Sequence, residues 1–436
     1  MIVGMAMLFS FSLVDTLFIS YLGTDALTAI SFTFPVTFMV TSLAIGLGIG
    51  TSAVVAKYLG RSDPERARQA STVTNYVAVM LSVVLSLACL GLMDRIFLAM
   101  GASAQNLELI RQYMIIWLPG SSIMVAIMTG NSVLRACGDT RTASFIMAGG
   151  GFINAVLDPI LIFGLGPIPA LGMAGAAVAT VIAWSLSCGY LFFILAFRLD
   201  LVSRVIPTRQ IMLSSSREML SIGIPAAGAN MMTPLAAGVM TAIVASYGDA
   251  AVAAFGVGSR IEPIATLILL AMSSTLPPLI SQNYGAGRLD RVSEAYAIAI
   301  RFILTWQLLV YGVLALGAGF IAGIFTDDAE VAGTIRLYLW ILPLGYGLQG
   351  IIILTNSSLN ALHRPLEALY LSAARFFIFY VPMAWLGSRL MGLNGFFIGA
   401  LLGNCLMAAL SVRVFRKVMS GEQSRQATPD PAETGA

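Results

Sequence analysis

Four polar side chains stand out by the company they keep. Asp15 interrupts the apolar run around LVDTLFIS, and Asn154 and Asp158 interrupt a second one, FINAVLDPILIF, with Pro159 directly after. A carboxylate held deep in a bilayer costs at least about 2.5–3.5 kcal/mol, so an acid placed there is functional by default and needs a partner. Asn154 and Asp158 are four residues apart, which on a helix puts them on one face, one turn apart. Pro159 cannot donate the hydrogen bond that the Ala155 carbonyl would accept, leaving a bare backbone oxygen beside both side chains. Thr180 lies in the next apolar run, GMAGAAVAT, where Gly172, Gly175, Ala176 and Ala179 allow close helix approach. Its hydroxyl could complete the cluster, or simply bond back to its own helix. Carboxylate, amide oxygen, hydroxyl and bare carbonyl together suit a proton or a hard cation such as Na+.

Other chemistry finds little support. Cys89, Cys137, Cys188 and Cys405 stand singly with no C-x-x-C, so neither a zinc site nor a disulfide frame is suggested. No nucleophile, base or metal constellation of an embedded enzyme is visible, no cofactor is implied, and no tightly bound metal is expected. The glycines of GLGIGTS, Gly46, Gly48 and Gly50, lack the G-x-G-x-x-G spacing and follow no strand, so helix packing is the better account. His363 has no second ligand nearby and reads as a solvated helix end.

The elements that must carry these residues follow from composition. Of 436 residues 58% are hydrophobic and 10% charged, and the mean hydropathy is +0.89, values that no soluble domain of this size shows. The chain is therefore an all-α membrane protein. Apolar runs bounded by Gly, Pro and charge predict about twelve membrane helices, near 1–22, 26–56, 70–93, 111–136, 142–164, 171–197, 217–246, 250–283, 294–323, 332–361, 366–390 and 393–418. The first lacks a basic leader segment and contains Asp15, which reads as a membrane helix and not a signal peptide. It begins at Met1 with no polar segment before it, so it is expected to be shortened or to start further upstream. The net charge of +3 is small. Basic residues gather in alternate loops, among them Lys57, Arg61, Arg141, Arg198, Arg288, Arg364, Arg413, Arg416 and Lys417. By the positive-inside rule those loops and both termini are cytoplasmic, which predicts a multi-pass protein of the plasma (inner) membrane. Nucleic-acid binding has no support, and a monomer in contact with membrane lipid is expected.

A shift of 225 residues maps the chain onto itself. It carries Gly60 to Gly285, Arg66 to Arg291, Tyr113 to Tyr338 and Asn131-Ser132 to Asn356-Ser357. Six helices per copy, an even number, give parallel repeats about an axis along the membrane normal, as in transporters that bind substrate between two lobes. The expected organisation is an N-terminal lobe over 1–197, a cytoplasmic linker over 198–216, a C-terminal lobe over 217–419 and a disordered tail over 420–436. The same shift carries Asp158 to Met383 and Asp15 to Met240. A scaffold role would need the acids twice, so their presence in one lobe alone points to a specialised ion site.

Tyr113 is expected in the substrate cavity, with Asn131 and Met128 as further candidates. Because Asn131 and Asn356 are duplicated, scaffold suits that pair equally, and methionines such as Met128 fit an adaptable apolar cavity or ordinary packing. Arg260, Glu262 and Arg375 are charges well inside the second lobe, where a structural pair between Glu262 and Arg375 is the simplest expectation.

These residues together resemble a known family. The parallel repeats, LVDTLFISYLG, AIGLGIGTSAVVAKYLG, NSVLRACGDTR and NAVLDP resemble the multidrug and toxic compound extrusion (MATE) transporters, over nearly the whole chain and in particular their DinF-like branch. The resemblance implies twelve helices in two six-helix lobes. It also implies cation-coupled efflux of amphipathic, often cationic, organic compounds by alternating access. In that branch a polar cluster of the first lobe binds the coupling cation, H+ or Na+, and its matching residues here are Asp15, Asn154, Asp158 and Thr180, with Tyr113 lining the same cavity. The NorM branch places acids in the seventh and tenth helices, whereas NMMTPLAAG and GLQGIIILTNSS here have none. The alternative is a lipid-linked oligosaccharide flippase of related fold, which several cavity arginines would favour.

Overall fold

The computed structural model describes residues 2–165, 169–203 and 207–427, and every regular element among them is helical. Two compact units divide the chain, Met1–Ala227 and Gly228–Ala436.

The first unit holds α1 (Ile2–Ser20), α2 (Thr24–Gly60), α3 (Pro64–Ala99), α4 (Ala104–Ala136), α5 (Thr140–Phe163), α6 (Gly172–Phe193) and the first half of α7 (Arg209–Ala245). Side-chain caps start three of them. Asp63 accepts from the Arg66 amide at 3.0 Å, Ser103 from Asn106 at 3.2 Å and Asp139 from Thr142 at 3.0 Å, each satisfying an amide the helix leaves unpaired. The core is built around α4, whose buried face runs from Leu107 through Trp117 and Val125 to Ala136, packed on α2, α3 and α6. The stretch expected as a linker, 198–216, ends as the opening turns of α7, which Lys57 ties to α2 through Glu218 at 2.5 Å. Residues 204–206 of that stretch, including Arg204, lie outside the described residues.

The second unit continues from α7 into α8 (Asp249–Ala265), α9 (Leu267–Gly285), α10 (Leu289–Leu316), α11 (Ala318–Phe325), α12 (Ala329–Ile341), α13 (Tyr346–Ala361), α14 (Pro365–Ala374) and α15 (Val381–Ala427). Helices α8 and α9 form one span bent by 44°. The expected helix over 332–361 is divided by a tight turn, Leu342–Gly345, where Pro343 removes a donor. A wide helical turn, Arg375–Tyr380, joins α14 to α15. Although continuous by hydrogen bonding, α15 is a hairpin. Gly392 sits at φ 61°, ψ −144°, a conformation open only to glycine, and a Cβ on Gly395 would meet the Gly387 carbonyl while one on Gly399 would meet that of Met383. Nine described stretches are long and apolar enough to cross a membrane, and the bent pair makes a tenth. The hairpin supplies a second crossing within Pro365–Ser424, and with α1 the total is twelve.

The repeat reappears in the turns. Left-handed residues stand at Gly23 and Gly248, at Ser62 and Gly287, and at Gly138 and His363, each pair separated by the shift read from sequence. His363 is thereby corrected: it is half-buried beside the Tyr284 ring and occupies a turn that the first copy gives to glycine. The tail is corrected as well. Residues 420–427 extend α15 because Glu422 receives Arg364 and the Tyr284 hydroxyl, and Gln426 donates to the Gly287 carbonyl at 2.8 Å. Residues 428–436 lie outside the described residues.

Candidate functional site

Helix α5 supplies two of the polar groups, and small residues on its flanks decide what reaches them. A Cβ on Gly4 would come within 3.0 Å of Ser144, and one on Gly151 within 2.3 Å of the Phe11 ring. Phe18 meets Phe163 edge-on at 6.4 Å between centroids. These contacts advance together along both helices, so α1 and α5 run parallel, and that register sets Asp15 against Asp158. On the other flank a Cβ on Gly175 would lie 2.3 Å from the Leu161 carbonyl oxygen, so α6 meets the backbone of α5 directly and brings Thr180 to Asn154. Gly172 serves differently, turning the chain at φ 55° with open space around it.

The Asn154 amide donates to Asp158 Oδ1 at 3.1 Å and lies 3.3 Å from Thr180 Oγ1. Thr180 in turn donates to the Ala176 carbonyl at 3.0 Å, so it does bond back to its own helix while presenting its lone pairs to Asn154. The register of α1 on α5 sets Asp15 against Asp158, and two carboxylates so placed relieve their mutual repulsion by taking up a proton or a cation. Asp158 is fully buried. Asp15 Oδ1 and Asp158 Oδ2 are buried atoms without a hydrogen-bond partner among the described residues. Two orphaned carboxylate oxygens with an amide and a hydroxyl beside them can receive a proton or a small hard cation, and leaving them unmatched is costly.

The third wall is α4. Tyr113 is buried on this helix. One turn on, Trp117 meets Trp184 of α6 edge-on at 5.8 Å, and Gly120 admits Val181. Asn131 and Met128 are not part of this cluster. They lie roughly 22–27 Å further along α4 at 1.5 Å per residue, where Gly48 of α2 packs against the Met128 carbonyl and Ser132. The repeat partner of Asn131, Asn356, donates to Ser372 at 2.9 Å and joins α13 to α14.

In the second unit the expected partner of Glu262 changes. No ion pair within 4.0 Å joins it to Arg375 among the described residues; Glu262 instead accepts from Gln349 at 3.0 Å. Arg375 lies over the rings of Phe376 and Tyr380, 5.0 and 5.6 Å from their centroids, an arrangement that suits a delocalised cation. Arg260 is exposed. Sequence reasoning missed Gln349, and it missed Gly4 and Gly151, although the run Gly149-Gly150-Gly151 was a usable signal of close approach.

Comparison with known proteins agrees with this architecture. A protein of Shewanella oneidensis described as an FAD transporter is 38% identical over 410 residues, covering 93% of this chain and 90% of its own. Multidrug export protein MepA of Staphylococcus aureus is 26% identical over 421 residues, 94% of this chain and 91% of that one. The crystal structure of the Vibrio cholerae MATE transporter VcmN in its bent form superimposes with a TM-score of 0.92 at 32% identity, covering 97% of this chain and 95% of that chain. The sequence model of the MatE family matches twice, over residues 1–160 and 225–386, one match to each copy of the repeat. The chain belongs to the MatE family, and it is a membrane transporter.

Proposed function

We propose that this transporter exports amphipathic organic molecules in exchange for H+ or Na+, with Asp15, Asn154, Asp158 and Thr180 as the coupling site. The observation that carries the reading is the pair of buried, unpartnered carboxylate oxygens, Asp15 Oδ1 and Asp158 Oδ2. A buried carboxylate pair with no cation beside it relieves its desolvation and mutual repulsion by taking up a proton or a metal ion. Uptake neutralises the cluster and tips the equilibrium between two states of the protein, and release on the other side resets it. Each charge moved down the membrane potential supplies about 2.3 kcal/mol per 100 mV, enough for concentrative export. The direction follows if the basic loops and both termini are cytoplasmic in the cell membrane, as the charge pattern predicts.

Two substrate classes follow from the relatives. Similarity to MepA supports drug-like organic compounds, while the greater identity to a protein described as an FAD transporter favours a flavin dinucleotide. Proteoliposomes holding the purified protein, given separately a pH gradient and a Na+ gradient, test coupling, with ethidium and FAD as alternative cargoes. One gradient is expected to drive one cargo, and Asp158→Asn is expected to abolish that drive. Unchanged ion dependence in Asp158→Asn overturns the coupling site.

A further inference from the structure

A second built feature lies in the other unit. Ser293, Tyr296, Ala297, Ile300 and Arg301 recur at helical spacing on one face of α10, and Val412, Phe415, Arg416, Met419, Ser420 and Gln423 do so on the last turns of α15. Between the two faces is a cleft of about 430 Å³, within the range of about 300–1,000 Å³ that holds drug-sized ligands. Its floor is rigid: Tyr296 stacks on Phe415 at 3.7 Å and its hydroxyl is engaged with Thr355 at 2.8 Å. Ala297, Ile300, Val412, Phe415 and Met419 make the walls apolar, and Arg301 and Arg416 stand on opposite sides.

Neither arginine has a carboxylate within 4.0 Å among the described residues, and no acid lines the cleft. The neighbouring Glu422 is engaged by Arg364 and Tyr284. The cleft is walled by the stretch of α15 that carries Arg413, Arg416 and Lys417, the end the charge pattern assigns to the cytoplasm. Helical side chains lean toward the N-terminus of their helix, so Arg301, set deeper in α10, reaches back toward the level of Tyr296 and Arg416. An apolar slot between two membrane helices, topped by two unpaired guanidinium groups at the headgroup level, matches one kind of molecule: a phosphate carried on an acyl chain. A soluble phosphate would use the arginines and leave the apolar walls without purpose; a zwitterionic lipid would use the walls and leave the arginines half-matched.

We infer that the cleft between α10 and the end of α15 binds an anionic phospholipid of the adjoining leaflet, its phosphate held by Arg301 and Arg416 and an acyl chain lying along Ala297, Ile300 and Phe415. The delipidated full-length transporter, offered phosphatidylglycerol, phosphatidylcholine or inorganic phosphate and read by native mass spectrometry, tests it. Wild type is expected to retain phosphatidylglycerol in preference to phosphatidylcholine. Arg301→Gln with Arg416→Gln is expected to weaken retention about tenfold or more, as two lost interfacial cations imply. Ala297→Trp, which fills the slot and keeps both arginines, is expected to weaken it too. Arg413→Gln with Lys417→Gln removes the same charge from exposed positions outside the cleft and is expected to change little. Equal retention of the two lipids, equal loss in both double variants, or inorganic phosphate binding as well as phosphatidylglycerol would each overturn the assignment.

Discussion

At the residue scale the cluster depends on an amide and a hydroxyl that carry no charge. Asn154 touches both Asp158 and Thr180, so it fixes the carboxylate's orientation and leaves Asp158 Oδ2 without a partner, as the proposed coupling site requires. Thr180→Val keeps the shape and removes the hydroxyl. Such intramembrane hydrogen bonds are worth about 0.6–2 kcal/mol, so the driving-ion concentration for half-maximal transport should rise about 3- to 30-fold with little change in yield or thermal stability. An unchanged ion dependence would remove Thr180 from the site. The acids were legible in the sequence because a carboxylate in an apolar run has no cheap explanation. The partner of Glu262 was not, because an acid on α8 can meet a cation or an amide, and only packing decides that Gln349 and not Arg375 arrives.

Helices are brought into register here by missing side chains. On α2, Gly46 and Gly50 meet the Gly223 and Met219 carbonyls of α7, while Gly48, half a turn away, faces α4. On α6, Gly175 meets the carbonyl of Leu161 and thereby sets the distance from Thr180 to Asn154. Gly175→Ala is expected to lower thermal stability by about 1–3 kcal/mol through overpacking against backbone that cannot yield. Gly189→Ala, on the same helix with nothing within 4 Å of the added carbon, is expected to be neutral or to gain up to about 1 kcal/mol. Comparable melting shifts in the two variants, in one detergent, would show that close approach does not hold α6 in place. The spans, the repeat and the small-residue face of α6 could be read from hydropathy and spacing, since both report the solvent of each face. The break at Leu342–Gly345 carried a signal in Pro343, whereas the one at Arg375–Tyr380 did not, because apolar residues surround it and hydropathy passes through a change of helical pitch unmarked.

Across the whole molecule, two copies of one plan have diverged at one site. The shift that pairs the turns carries Asp15, Asn154, Asp158 and Thr180 to Met240, Phe379, Met383 and Cys405, so every polar member of the cluster has an apolar or weakly polar counterpart. The second copy therefore lacks all four of these groups and not merely an acid, although it keeps Tyr338 where the first copy has Tyr113. Met383→Asp is expected to create no second coupling site and to destabilise the protein by about 2.5–3.5 kcal/mol, since the second copy has Phe379 and Cys405 where the first has Asn154 and Thr180. Restoration of ion-driven export by Met383→Asp in an Asp158→Asn background would show the copies to be interchangeable.

The final turns of α15 have a practical consequence for handling the protein. Glu422 and Gln426 clasp two neighbouring turns, one at Arg364 and one at Gly287, much as a buckle closes a strap. A chain cut back to Ser420 loses both fastenings at once and frees the end of the helix that walls the α10 cleft. Affinity tags and fluorescent fusions are therefore best appended beyond Ala427, where they leave the clasp intact.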